Sequence, residues 1–380
     1  MGANLLKLPL RSESVDRSAF NRTRLAVARK RKGLSKLAFA KKVGVDRKSV
    51  EAWEAGKKKP TEDAIAQIVR VTDFPREFFM GDDLDEPSID TGSFRSMKTM
   101  TAAQRDMALS QATLGLHFNF WLDKKFGLPV ADIPDLGREL GREPDPEAAA
   151  EFVRREWQLG TRSIRNMVHL LESRGVRVYS LAVDARQVDA YSMWKGNVPF
   201  IFLNTNKTAE HSRFDAAHEL GHLVLHRHGP PRGIEAEKEA NLFASAFLLP
   251  RGSVHPKAPK FPTYANLVRL KRVWGVSVAA LAYRLHALGL VSDWQFRGLY
   301  IEISKRGKDR EPNPVPHESS VVLKAVLSSL WDDGITRGRI AEELALPTAE
   351  LEQLLFGLTM TGIAGGSHRT TSKTELSRVK

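Results

Sequence analysis

Residues 213–226 read RFDAAHELGHLVLH, and the reading of this stretch decides the fold of the middle of the chain. His218 and His222 are four residues apart, so on an α-helix both imidazoles project from one face toward a single cation. Glu219, one position along, reaches a water beside that cation. Phe214, Ala217, Leu220, Gly221, Val224 and Leu225 form an apolar stripe on the same segment. The helix, about Ser212 to His226, is therefore expected to be buried rather than laid on the surface. A strand-like run, VPFIFLNT, leads into it.

The chain contains no cysteine. That excludes a disulfide scaffold, a zinc ribbon, an iron–sulfur cluster and a cysteine nucleophile, and agrees with a reducing compartment. Any metal must be held by histidines and carboxylates. A catalytic zinc takes three protein ligands and keeps one position open, and two histidines with a glutamate are an established set. Shortly downstream, EAEKEANLFASAFLLP (residues 235–250) reads as a second amphipathic helix offering Glu235, Glu237 and Glu239. Ala240, Phe243, Ala244 and Phe247 look inward, and Glu237 shares a stripe with Ala240, Asn241 and Ala244, which favours Glu237 over the other two. The pair Glu237 and Asn241 also resembles the E-x-x-x-D arrangement of gluzincin proteases. That resemblance implies that Glu237 is a ligand and that Asn241 hydrogen-bonds a ligand histidine.

Outward from this centre the chain divides by composition. Short strands are expected at VRVYSLA and VPFIFLNT with a turn region between them, and helices around Ala148–Trp157 and Ile164–Arg174. A long helix over about Thr101–Phe126 has an apolar face of Met107, Leu109, Ala112, Leu114, Phe118, Trp121 and Leu122. Gly81 to Thr99 is acidic and then polar and reads as a linker, as does RGKDREPNPVPHES. Helices are expected near Tyr264–Trp274 and Val278–Leu288, and a compact helical segment with a helix–turn–helix rhythm follows the second linker. The tail GGSHRTTSKTELSRVK is expected to be disordered.

The N-terminal part is helical and basic. Lys and Arg number 58 against 45 Asp and Glu, a net charge of +13. Through Asp82 there are 19 basic and 10 acidic residues, so +9 of that charge sits in the first fifth of the chain. Such a field suits a polyanion, since each neutralised phosphate releases counterions. Within SKLAFAKKVGVDRKSVEAWEAGKKKP, Ser35 and Asp46 stand where helix N-caps belong, Gly44 permits a tight turn, and Ala40 lets two helices approach. Val45, Val50 and Trp53 face a core, leaving Arg47, Lys48, Glu51 and Ala52 outward. In a helix–turn–helix, side chains so placed reach base edges while flanking basic residues bind phosphate.

These features resemble the XRE, or lambda-repressor-like, family of helix–turn–helix domains over about residues 22–80. The resemblance implies that Lys36, Arg47, Lys48 and Ser49 contact bases or phosphates and that Lys57 lies on phosphate. Lys36 departs from the family, many members of which carry Gln there. The central motifs RFDAAHELGHLVLH and EAEKEANLFASAFLLP resemble the ImmA/IrrE family of metallopeptidases over about residues 150–255. The whole layout, including RVWGVSVAALAYRLHALGLVS, is similar to that family's fused XRE-plus-peptidase regulators. The resemblance implies a Zn2+-dependent endopeptidase that controls gene expression by cleaving a repressor-type partner, in stress response or mobile-element control. Zinc would acidify a water and polarise the scissile carbonyl, with His218, His222 and Glu237 as ligands and Glu219 as general base. His211, Arg213, His226 and His228 are the nearby donors in sequence.

The expected fold is α+β and mostly helical: a lambda-repressor-like domain (1–82), a linker and long helix (83–145), and a zincin-like domain with a small sheet (146–260). A helical extension (261–305), a C-terminal helical module (306–365) and a tail (366–380) complete it. The expected partners are a double-stranded DNA operator and a protein substrate, and a homodimer would match a palindromic site. No apolar run is long enough for a membrane helix and the N-terminus lacks a signal-peptide core, so a cytoplasmic, nucleoid-associated protein is expected. Two other readings use the same residues: a metal- or ligand-sensing regulator without turnover, and an antitoxin-like DNA-binding scaffold.

Overall fold

A computed structural model describes residues 20–87, 101–136, 145–181, 190–227, 233–307, 311–359 and 377–378. The chain forms two compact units that divide between Leu84 and Asp85. Among the described residues no helix is long and apolar enough to cross a membrane.

The first unit is built from four short helices, α1 (Arg22–Arg31), α2 (Lys36–Val43), α3 (Arg47–Glu54) and α4 (Glu62–Thr72), closed by a 3-10 turn at Arg76–Met80. Each α-helix starts at a side-chain cap: Asn21, Ser35, Asp46 and Thr61 accept backbone N–H groups that have no partner within the helix. Gly44 closes α2 in the left-handed region at φ 81°, and Val45 N–H returns to the Ala40 carbonyl at 3.0 Å, which fixes the angle between α2 and α3. Leu25, Phe39, Ala40, Val50, Trp53 and Ile68 make the core, while Val45 is only half-buried. Inside it Arg29 meets Glu54 at 2.6 Å, both side chains nearly buried. The start of the acidic segment belongs to this unit: Gly81 and Asp83 accept from Asn21, and Asp82 accepts from Arg24 at 2.6 Å. Residues 88–99 of that expected linker lie outside the described residues.

The second unit is organised around a three-stranded sheet, β1 (Arg177–Ser180), β2 (Ala190–Lys195) and β3 (Val198–Leu203). The spatial order is β1-β3-β2, with β1 parallel and β2 antiparallel to β3. β2 occupies the end of the stretch expected to be a turn region. Its hairpin is closed by Gly196, at φ 58°, and Asn197. A Gly-Asn pair between two apolar runs is a hairpin signal that this expectation passed over. Residues 182–189 lie outside the described residues.

Alternation along the strands sorts the two faces. Tyr179, Phe202 and Tyr191 are in register on one face, and Val178, Ile201 and Ser192 on the other. α5 (Ala102–Asp123) covers the aromatic face. The Cβ that Gly115 lacks would lie 2.7 Å from the Phe202 ring, Asn119 accepts from the Tyr179 hydroxyl, and Gln111 donates to Ser180. The long helix thus packs on the sheet, because a sheet apolar on both faces needs a helix on each. α6 (Pro146–Glu156), α7 (Met167–Ser173), α8 (Ala209–Leu225) and α9 (Ile234–Leu248) complete the centre. α8 lies against the second face, where Ser192 donates to the Glu219 carbonyl at 3.2 Å and Trp194 to that of Leu223 at 3.3 Å.

Beyond α9 come α10 (Arg251–Val254), α11 (Tyr264–Leu270), α12 (Val278–Ala287) and α13 (Asp293–Arg306), then α14 (Val321–Asp332), α15 (Arg337–Glu343) and α16 (Thr348–Leu355). The segment before α14, expected to be a linker, is a strap. Its Glu311 pairs with the fully buried Lys271, which also binds the fully buried Glu210 at 2.7 Å. Glu210 in turn accepts from Val315 N–H, and Glu318 pairs with Arg213 and caps the N–H groups of Met167 and Val168. Reciprocally, Glu172 at the end of α7 accepts from Ser320 and from the first N–H groups of α14. Buried ion pairs between distant segments leave no spacing in sequence. The tail lies outside the described residues except for 377–378, whose backbone pairs antiparallel with Phe126–Gly127.

Candidate functional site

α8 starts at Thr208, whose side chain accepts from His211 N–H, and runs between the sheet and α9. Its close approach to α9 depends on the residue between Glu219 and His222. A Cβ on Gly221 would sit 3.1 Å from the Phe243 ring and 3.2 Å from the Ala240 Cα. With only hydrogen at Gly221 and a methyl at Ala240 the two backbones come together, and Glu237, three residues before Ala240, is carried over the α8 histidines.

The result is a compact donor set. The Nε2 atoms of His218 and His222 lie 3.1 Å apart, and the two carboxylate oxygens of Glu237 lie 3.3 Å from His218 and 3.7 Å from His222. Among the described residues, His218, His222 and Glu237 are the one group of three or more His and acidic residues with ligand atoms so close together. The fit to an ion can be tested on these distances. Zn–N bonds of about 2.0–2.1 Å at tetrahedral angles separate neighbouring ligand atoms by about 3.3 Å. The three separations bracket that edge, and nitrogen and carboxylate oxygen donors suit zinc.

Electrostatics favour a charged cluster. Burial alone would lower the His218 pKa, but the hydrogen bond to Glu237 and the charges of Glu219, Glu237 and Asp215 outweigh it and raise it. Glu237 is opposed by its own burial, yet the two imidazoles hold its carboxyl well below the usual carboxylate range. A divalent cation would supply the same positive charge in place of protons. Glu219 is buried on α8 within electrostatic reach of His218.

Behind the ligand rings stand two different supports. Asn241, exposed on α9 one turn after Glu237, places its Oδ1 3.0 Å from His218 Nδ1. His222 Nδ1 meets His226 Nδ1 at 2.9 Å, and His226 Nε2 meets Glu239 at 2.8 Å. Burial lowers the His226 pKa despite Glu239 and with help from the charge of His222. Read from sequence alone, His226 is only a nearby side chain and Glu239 points away from His218, His222 and Glu237. Glu239 does face away, onto His226. The usable signal was that 218, 222 and 226 repeat at four residues, so the third histidine continues the same stripe. Of the other nearby donors, His211 pairs with Thr208, Arg213 is engaged by Glu318 and the Ile164 carbonyl, and His228 lies outside the described residues.

In the first unit the residues named from sequence fall on and around α3. Arg47 and Lys48 are exposed at its start and Lys57 just beyond its end, whereas Ser49 is half-buried and its N–H is capped by Asp46 at 2.6 Å. Arg47 pairs with Glu51 across one helical turn. Lys36 is tethered, its ammonium 3.2 Å from the carboxylate of Glu54 that also holds Arg29. The arrangement orients Lys36 on the rim of α3.

These features define a helix-turn-helix unit joined to a mostly helical unit with a small sheet and a His/His/Glu group that could hold a metal ion. The IrrE N-terminal-like domain matches residues 171–286, and a helix-turn-helix domain matches residues 25–79. The chain therefore carries an N-terminal helix-turn-helix domain and a central IrrE-like peptidase domain. None of the curated proteins matches it.

Proposed function

We propose that the protein is a DNA-binding transcriptional regulator that carries a zinc-dependent endopeptidase and cleaves a repressor-type partner protein. The observation that supports this most is the convergence of His218, His222 and Glu237 on one point, with Glu219 buried beside them. His218, His222 and Glu237 would hold Zn2+, Asn241 and His226 would fix the two imidazoles from behind, and Glu219 would take the proton of the attacking water and return it to the leaving amine. When bound, the ion supplies Lewis acidity to water and to the scissile carbonyl. A site with a purely structural ion has no use for a buried carboxylate next to its ligands, which favours turnover over sensing.

The first unit would place this activity on DNA, with Lys36, Arg47, Lys48 and Ser49 at base edges or phosphates and Lys57 on phosphate. Two copies would match a palindromic operator, and the work would be done in the cytoplasm at the nucleoid. The test is to incubate purified protein, with and without zinc, with helix-turn-helix proteins encoded beside its gene and to search for a cut by mass spectrometry. Glu219→Gln should retain about one zinc per chain and abolish the cut. Loss of zinc in that variant would show that Glu219 is not the base, and absence of any cut with zinc-loaded protein would favour a sensor.

A further inference from the structure

The three C-terminal helices repeat the geometry of the first three. Adding 301 to the numbers of α2, Lys36–Val43, gives 337–344, and α15 is Arg337–Glu343; adding it to α3, Arg47–Glu54, gives α16, Thr348–Leu355. α1 ends at Arg31 and α14 at Asp332, again 301 residues on. No insertion or deletion separates residues 22–57 from 323–358.

The turns agree as closely as the helices. Gly33 and Gly334 have φ of 64° and 75°, and Gly56 and Gly357 have 70° and 69°. Gly44, at 81°, is matched by Ala345 at 52°, a residue that takes the left-handed conformation against its own side chain because the turn requires it. Ser35 and Thr336 cap the equivalent N–H groups, of Ala38 and Arg339. The bonds Leu34 N to Arg29 O and Val45 N to Ala40 O recur as Ile335 N to Leu330 O and Leu346 N to Ala341 O. Phe39, Ala40, Val50 and Trp53 of one core become Ile340, Ala341, Leu351 and Leu354 of the other, all buried. The buried ion pair of Arg29 with Glu54 is replaced by Leu330 and Leu355, both buried. A charged pair exchanged for an apolar pair at the same two positions is what two copies of one fold would show.

What differs is the surface. Residues 22–57 carry 12 basic and 3 acidic side chains, and 323–358 carry 3 basic and 6 acidic, so +9 becomes −3. The positions of Arg47, Lys48, Ser49 and Lys57 are held by the exposed Thr348 and Ala349 and by the buried Glu350 and Leu358. The helix matching the recognition helix leaves Thr348, Ala349 and Glu352 of its outward face exposed and meets protein at its C-terminal end. Thr205 donates to the Phe356 carbonyl at 3.0 Å, a Cβ on Gly357 would lie 2.7 Å from Thr205 Cβ, and Leu354 packs beside Gly115 on α5. From the equivalent of the first helix pair, His117 bonds the Leu344 carbonyl and Trp121 donates to Glu343.

We propose that residues 321–358 are a second helix-turn-helix domain that has lost the charge needed for DNA and serves as a packing module: the end of its last helix and the turn after it dock on the peptidase unit and stabilise it, and only the first unit binds DNA. The statement about the first unit rests on the proposed function; the docking does not. The test uses the full chain and a mixed-sequence DNA duplex, with fluorescence anisotropy over a salt series. The double variant Arg337→Glu with Arg339→Glu should bind within about twofold of the unsubstituted protein and with the same salt slope, whereas Arg47→Glu, Lys48→Glu and Lys57→Glu together should weaken binding about 100-fold or more. A tenfold loss or a shallower slope in the first variant would overturn the proposal. If the unsubstituted protein bound no DNA, the reading of the first unit would fail, and the docking would be decided by a second measurement. Thr205→Arg, which adds bulk on the peptidase side where Phe356 and Gly357 rest, should lower the midpoint of thermal unfolding of the peptidase unit and leave unit-one helicity intact. An unchanged midpoint would show a tethered, independent domain and sink the docking claim.

Discussion

His222 is gripped from behind by another imidazole, and that contact has consequences that His218, backed by Asn241, does not share. A ligand histidine binds best when its second nitrogen is held in one tautomer, and loss of the group that holds it typically costs about 10–100-fold in metal affinity. His226 can hold His222 only while its own far nitrogen is fixed by Glu239 at 2.8 Å. Glu239→Ala, a substitution outside the ligand set, should therefore weaken zinc binding by about 10-fold, with a smaller loss in Glu239→Gln. Competition with a chelator reads this without any peptide substrate, and equal affinity in both variants would remove His226 from the site. The convergence of the two histidines of H-E-L-G-H was legible because a four-residue spacing on a helix is local. His226 continues the same four-residue spacing, but its contact with Glu239 was not legible, because it depends on what the facing helix presents.

At the scale of elements, Gly221 sets the distance between α8 and α9. A valine there would force the helices apart against Phe243 and the Ala240 backbone, costing about 1–3 kcal/mol by overpacking. Gly221→Val should keep its far-ultraviolet helical signal, melt lower, and lose zinc affinity as Glu237 retreats; a variant that retained full affinity would show that α9 does not set the site. The join of α7 to α14 is sensitive to pH. Burial pushes the Glu172 carboxyl up to about 7, against the hydrogen bonds from Ser320, Val322 and Val321 that favour its charge. A carboxyl raised on folding binds more protons in the native state, so its contribution to stability is full below its ordinary pKa of about 4.5 and is lost as pH rises through about 7. Glu172→Gln should flatten the pH dependence of unfolding between those values, and an unaltered profile would show that Glu172 is charged throughout. Helix positions and most caps could be read from sequence, since Ser35, Asp46 and Thr61 act on their own next turn. The strand β2 and the strap at 311–320 could not, because pairing and buried ion pairs join residues far apart in the chain.

For the whole molecule, the two units predict separable losses. Arg47→Ala with Lys48→Ala should weaken operator binding and reduce its salt slope by about 1 for each lost phosphate contact, leaving zinc content unchanged. Chelation should do the reverse, lowering the stability of the peptidase unit while DNA affinity stays within twofold. A fall in both after either treatment would mean that the units act as one. By itself the sequence determined the two domain classes and the local chemistry of each: a basic surface, a capped pair of short helices, two histidines and a carboxylate at helical spacing. Each of these depends on side chains within a few turns of one another, where backbone geometry fixes the distances. Only the tertiary structure decided that the long helix covers the sheet, that Glu239 pairs with His226, and that the C-terminal helices repeat the first three with the charge reversed. Those outcomes depend on which distant faces bury one another, and burial is shared between segments that carry no mark of their partner in the chain.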